Sequence, residues 1–273
     1  MSIALLASPL VAWADMPPDQ PANPVQQTLL QLPQACPTLA SGLTPQTQAL
    51  LQAFYEGQNY QPVWAQEGRL AALQAALPQL ADDGLDPLNY PLPEGQDLCA
   101  DIDTSRQYLQ ALHDLHFGRL TQSRFEPVWH ANAVEVDPQA ELLAIAGPGV
   151  QNVAAAFAQA RPALEQYQDL RRVYARERQQ PLPQWQPIAD GPLLRPGMQD
   201  ARVPALARRL ASEGYLSGEP QIVNNTYSNE LASAVKSFQL DHSLQADGVV
   251  GPGTVKELNV SPATRREQLR INL

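Results

Sequence analysis

Basic residues are scarce at the front of this 273-residue chain. Up to residue 160 there are 4 Lys or Arg against 16 Asp or Glu, and the whole carries a formal charge of −10. Nucleic acid needs a concentrated basic surface, so an acidic front half excludes that partner. Beyond residue 160 the balance turns, with 14 basic residues to 12 acidic. The one basic run there, Arg171, Arg172, Arg176 and Arg178, reads as a solvated helix face. Long apolar runs are missing as well: the stretch Ile3 to Ala14 is too short for a membrane span. Strand signals are few, so the chain is expected to be mainly α. Its length suffices for one large and one small domain.

Proline, by contrast, is plentiful, with 26 residues clustered at 17–37, 87–93, 181–196 and 252–262. The clusters punctuate the chain, and no low-complexity tract joins them. Residues 1–14 end in Ala12-Trp13-Ala14 ahead of Asp15. That small-x-small pattern after a short apolar run reads as a secretory signal segment, although the usual leading Lys or Arg is missing. Export suits the only two cysteines, Cys36 and Cys99. A bond between them would close a loop of about 64 residues, worth about 4 kcal/mol in the chain-entropy model. Two separately buried thiols are the other arrangement open to them. Pro33-Gln34-Ala35 ahead of Cys36 is not a lipid-attachment context.

Residues 15–43 read as an extended lead-in. The helical period starts at Thr44, a cap for a helix that Pro45 opens and that carries Leu50, Leu51, Phe54 and Tyr55 on one face. Tyr60-Gln61-Pro62-Val63-Trp64 follows as an extended segment. Leu70 to Leu80 is a second helix, stopped by the dense turn signal Ala81-Asp82-Asp83-Gly84-Leu85-Asp86-Pro87. Asp103 or Thr104 caps a third, with Tyr108, Leu109, Leu112 and Leu115 inward. Leu142 to Ile145 and Val153 to Phe157 add helical pieces, and Pro162 opens a longer helix to about Arg178. The proline-rich stretch Gln179–Gly197 is the expected boundary between a helical domain over 44–190 and a small three-helix domain over 191–262.

In that small domain Asp200 caps a helix carrying Val203, Leu206, Ala207 and Leu210, which Gly214 ends. Ser228 opens the second, with Leu231, Ala234, Val235 and Phe238 as its apolar stripe. Asp247-Gly248 and Gly251-Pro252 then bracket a tight turn into the third, with Pro252 at its first position. This pattern resembles the peptidoglycan-binding domain found beside many cell-wall enzymes. Other segments match in the same order: Phe54-Tyr55, Tyr60 to Trp64, Ala81 to Pro87, His116-Phe117-Gly118-Arg119, Leu194-Arg195-Pro196-Gly197 and Ala246 to Pro252. Together they resemble the non-catalytic part of a large multidomain bacterial murein L,D-transpeptidase. The resemblance implies a helical scaffold domain, a peptidoglycan-binding domain, a periplasmic location and peptidoglycan as partner. It also implies that 263–273 leads toward a β-rich catalytic domain whose Cys nucleophile is not among these residues.

Acyl transfer needs a thiolate, a base to generate it and donors for the oxyanion. The surroundings of Cys36 and Cys99 supply none of these. Both are read as structural, no catalytic residue is assigned, and no cofactor or metal is expected. His113 and His116, three apart on a helix, together with His130, match no zinc hydrolase signature. Asp82, Asp83 and Asp86 lack the alternating ligands and distal Glu of a calcium loop.

Binding is expected in the groove beside the turn. There Asp247, Gly248 and Gly251 would offer backbone groups to stem-peptide carboxylates and amides, and Tyr215 or Tyr227 would pack on sugar or peptide. The expected role is a non-catalytic holder of murein that works with a catalytic L,D-transpeptidase domain or another cell-wall enzyme. Two alternatives stand beside it. One is part of a longer enzyme that cross-links peptidoglycan through a cysteine acyl-enzyme. The other is a protein-interaction scaffold that does not bind the wall.

Overall fold

The computed structural model describes residues 23–119, 137–217 and 224–273, apart from the side chains of 40 and 41. The signal-like segment and His130 lie outside the described residues, which hold eleven α-helices and no strand. The chain divides into two compact units: 1–81 with 85–164, and 82–84 with 165–273.

Proline and capping side chains account for the helix starts. Asn23, Thr44, Asp97, Asp137 and Asn152 each accept a backbone N–H from the first turn that follows, and Pro24, Pro45 and Pro138 open three of those helices. In the first unit this gives α1 (Pro24–Leu30), α2 (Pro45–Gly57), α3 (Arg69–Ala76), α4 (Leu98–Phe117), α5 (Pro138–Gly149) and α6 (Val153–Ala160). Residues 15–43 are therefore not an extended lead-in where they are described. Val25 and Leu29, one helical turn apart on α1, are buried with Leu32 and Leu39 in the core. Burial of that face outweighs the proline density that suggested an open chain. The third predicted helix likewise starts earlier than Asp103, because Asp97 caps it through Ala100 N at 2.8 Å.

The core of the first unit gathers on α4. The Tyr108 ring lies edge-on to Trp64, with centroids 5.2 Å apart, and tilted against Phe157 at 6.2 Å. Two turns earlier, buried Asp101 accepts the Tyr55 hydroxyl at 2.5 Å and the backbone N–H groups of Val63 and Trp64 at 3.0 and 2.7 Å. Burial, reinforced by the Asp101 charge, pushes the Tyr55 hydroxyl well above the ordinary tyrosine range. A disulfide joins Cys36 to Cys99 on the first turn of α4, with Cα atoms 5.6 Å apart.

The second unit holds α7 (Glu165–Gln179), α8 (Val203–Ser212), α9 (Asn229–Asp241), α10 (Pro252–Leu258) and α11 (Pro262–Ile271). The basic run on α7 is only partly a solvated face. Arg171 and Arg178 bond Asp83 and Asp82, while Arg172 and Arg176 are exposed. The unit begins before the expected boundary stretch, since Ile188 and Leu194 inside Gln179–Gly197 are buried in its core with Leu206, Val235, Phe238 and Leu258. Residues 263–273 are mostly helical, as α11, which packs on α7.

Asp200 does not cap α8 directly; Arg202 occupies the cap position. The Asp200 carboxylate instead accepts the Arg202 backbone N–H and its guanidinium, at 2.8 to 2.9 Å. Those bonds lower its pKa from 3.8 to about 2. A carboxyl lowered on folding stabilises the protein above its unfolded pKa, and that stability is lost as pH falls through the folded value. Asp200→Asn is expected to cost at most about 2 kcal/mol at neutral pH and far less near pH 2. Urea denaturation of both proteins at the two pH values measures this, and an equal deficit at both would refute the ion-pair origin.

Candidate functional site

The turn between α9 and α10 is built around one amide. Gln239 lies on the α9 face that carries Val235 and Phe238, and it is 2% exposed. Its Nε2 donates to Asp247 Oδ1 at 3.1 Å, Val249 O at 3.0 Å and Thr254 Oγ1 at 3.1 Å, while its Oε1 accepts Gly248 N at 2.8 Å. Asp247 Oδ1 also accepts Val249 N at 2.8 Å. That backbone bond, more than any other contact, holds the Asp247 carboxyl below its usual range; the Gln239 amide and the Arg195 charge add to it.

Gly248 has φ +74, and a Cβ there would meet Lys236 Cε at 3.0 Å and Ala232 O at 3.1 Å. The position therefore requires glycine for both its conformation and its space. Tyr227 donates its hydroxyl to Gly248 O at 2.7 Å. On the other side Leu194 and Val250 exchange backbone hydrogen bonds at 3.1 and 3.0 Å.

Beside this braced turn lies an open cavity of about 270 Å³, lined among others by Leu193, Arg195, Gln245, Asp247, Gly251 and Pro252. Leu193 is 46% exposed. The Arg195 side chain is exposed, and its guanidinium has no hydrogen-bond or ion-pair partner among the described residues. An unpaired guanidinium beside an apolar side chain and rigid backbone suits a ligand carrying carboxylates and amides.

The expected groove residues are not all at the cavity. Asp247 and Gly251 line it, and Gly248 underlies the turn. Tyr227 is fully buried, so the proposed packing on a ligand is corrected: its ring fills the core and its hydroxyl is taken by Gly248 O. Tyr215 does not line the cavity either. Its ring lies edge-on to Phe238 at 5.5 Å, and its hydroxyl donates to Asp241 at 3.1 Å. Burial, then that bond, raises its pKa to about 12. Sequence reasoning missed Arg195 and Gln239. A glutamine four residues after Val235, on an otherwise apolar helix face, was the available signal for the second.

Elsewhere, His116 places Nε2 3.0 Å from Glu141 and Nδ1 3.0 Å from Ala160 O, while His113 Nδ1 faces Asp114 at 3.2 Å. The His116 contacts tie α4 to α6 and α5, and the His113 contact is local to α4. With Cys36 and Cys99 bonded to each other, neither offers a thiol.

Two family models match the chain. The Scaffold domain matches residues 49–173, and a peptidoglycan binding domain matches residues 199–258, a span that contains Gln239 and the turn. No curated protein matches the chain. The chain thus carries a scaffold domain and a peptidoglycan-binding domain, and the second supports a cell-wall binding role with peptidoglycan as the partner. Among the described residues no helix is long and apolar enough to cross a membrane.

Proposed function

We propose that this chain is the scaffold and wall-binding part of an L,D-transpeptidase-like cell-wall protein, exported to the periplasm, that positions murein for acyl transfer performed by residues outside those described. The observation that carries the reading is the unpaired Arg195 beside a turn already held in shape by Gln239, within a segment adjoining the peptidoglycan-binding match. A turn fixed before binding spends little ordering entropy on its ligand. Arg195 would pair with a stem-peptide carboxylate, and backbone groups near Gly251 would meet stem-peptide amides. The disulfide favours the holding role over a catalytic one for Cys36 and Cys99, since acyl transfer requires a free thiolate.

Co-sedimentation with purified sacculi tests this. The protein is expected in the pellet, and Arg195→Ala should weaken binding about tenfold while leaving thermal unfolding unchanged. A wild-type protein that stays in the supernatant would overturn the wall-binding reading. Equal pelleting of the variant would remove Arg195 from the site.

A further inference from the structure

The first unit contains a cavity of about 670 Å³ at the N-terminal end of α4, which the reading above does not use. Tyr60, Gln61, Trp64, Gln96, Leu98 and Thr104 contribute to its lining. Thr104 is 4% exposed, yet its hydroxyl has no hydrogen-bond partner among the described residues. Thr104 borders the cavity, where its unpaired hydroxyl can meet a ligand atom in place of water. Tyr60 sits at φ +52 directly after Asn59 at φ +53. Left-handed backbone at a bulky residue is strained and collects at binding sites.

The charges around this cavity narrow its ligand. Among the described residues no Lys, Arg or His lines it. Asp101 already accepts three donors, Asp97 caps α4, and the Trp64 indole N–H donates to Ser105 at 2.9 Å. An anion would find no cation here. An uncharged molecule with one apolar face and several hydroxyl or amide groups would find the Tyr60 ring and Leu98, the Thr104 hydroxyl, and the exposed amides of Gln61 and Gln96.

We propose that this cavity is a sugar subsite for an uncharged N-acetylated hexosamine of the glycan strand, so that the scaffold domain grips glycan while the turn in the second unit grips stem peptide. The choice of sugar rests on the wall-binding reading; the cavity and its lack of a cation among the described residues do not. The full chain is titrated with the N-acetylglucosamine tetramer, which has no peptide, and followed by saturation-transfer NMR and calorimetry.

Transfer to the acetyl methyl groups is expected. Thr104→Val should weaken binding about three- to tenfold. Tyr60→Asn, which removes the ring but tolerates left-handed backbone, should abolish the transfer, and Arg195→Ala should bind as the wild type does. No transfer at millimolar tetramer, or equal transfer to the wild type and both cavity variants, would overturn the subsite. Tetramer binding without sacculus binding would leave the subsite standing and sink the wall-binding reading, and the converse result would separate them the other way.

Discussion

Cys36→Ala/Cys99→Ala is expected to lose about 4 kcal/mol of unfolding free energy. The bond spans 63 positions and encloses α2 and α3. Without it the unfolded chain regains the entropy of that long loop, and the first residues of the core, Val25, Leu29 and Leu39, lose their covalent tie to α4. Alanine is the appropriate replacement, because Cys36 is 1% exposed and a serine there would bury a hydroxyl. The measurement is urea denaturation with and without reductant. The wild-type protein in reductant should unfold with the double variant, and reductant should leave the variant unchanged. A deficit under about 1 kcal/mol would show that the loop is already constrained in the unfolded state.

Gln239→Leu is expected to cost about 3 kcal/mol and to loosen the turn, although leucine nearly matches glutamine in size. The loss is not one hydrogen bond. Gly248 N, Val249 O and Thr254 Oγ1 all give up the same partner, and burial limits how well water replaces it. Gln239→Glu should also fail at neutral pH: it removes the donors and sets a second carboxylate against Asp247. Amide hydrogen exchange supplies the specific readout. Gly248 N–H should lose protection in Gln239→Leu, which removes its acceptor, while amides of α4 keep theirs, and unchanged protection at Gly248 in that variant would contradict the bracing role.

Local punctuation made most of the helices legible. Thr44-Pro45, Ser228 and Gly251-Pro252 sit where the sequence places them, because a cap and a first-turn proline act over a few residues. The same prolines hid α1, whose short apolar face of Val25 and Leu29 falls inside the cluster at 17–37. The site was less legible because its parts meet through distant pairings. Arg195 reaches the turn only because Leu194 pairs with Val250, and Tyr227 is buried because its hydroxyl finds Gly248. Neither partner is close enough in the chain for periodicity to report it. Tyr60, read as extended, adopts left-handed backbone that nothing in its immediate sequence demands.

Residues 82–84 belong to the second unit although their neighbours on both sides belong to the first. No single cut in the polypeptide therefore yields both units whole. A fragment beginning at Glu165 would leave Arg171 and Arg178 without the carboxylates of Asp83 and Asp82, and would strip the Gly84 carbonyl from Arg270 on α11. Dissection of the protein by truncation would thus expose mispaired guanidinium groups as new surface, and a sticky fragment made this way would report on the cut rather than on the wall-binding domain.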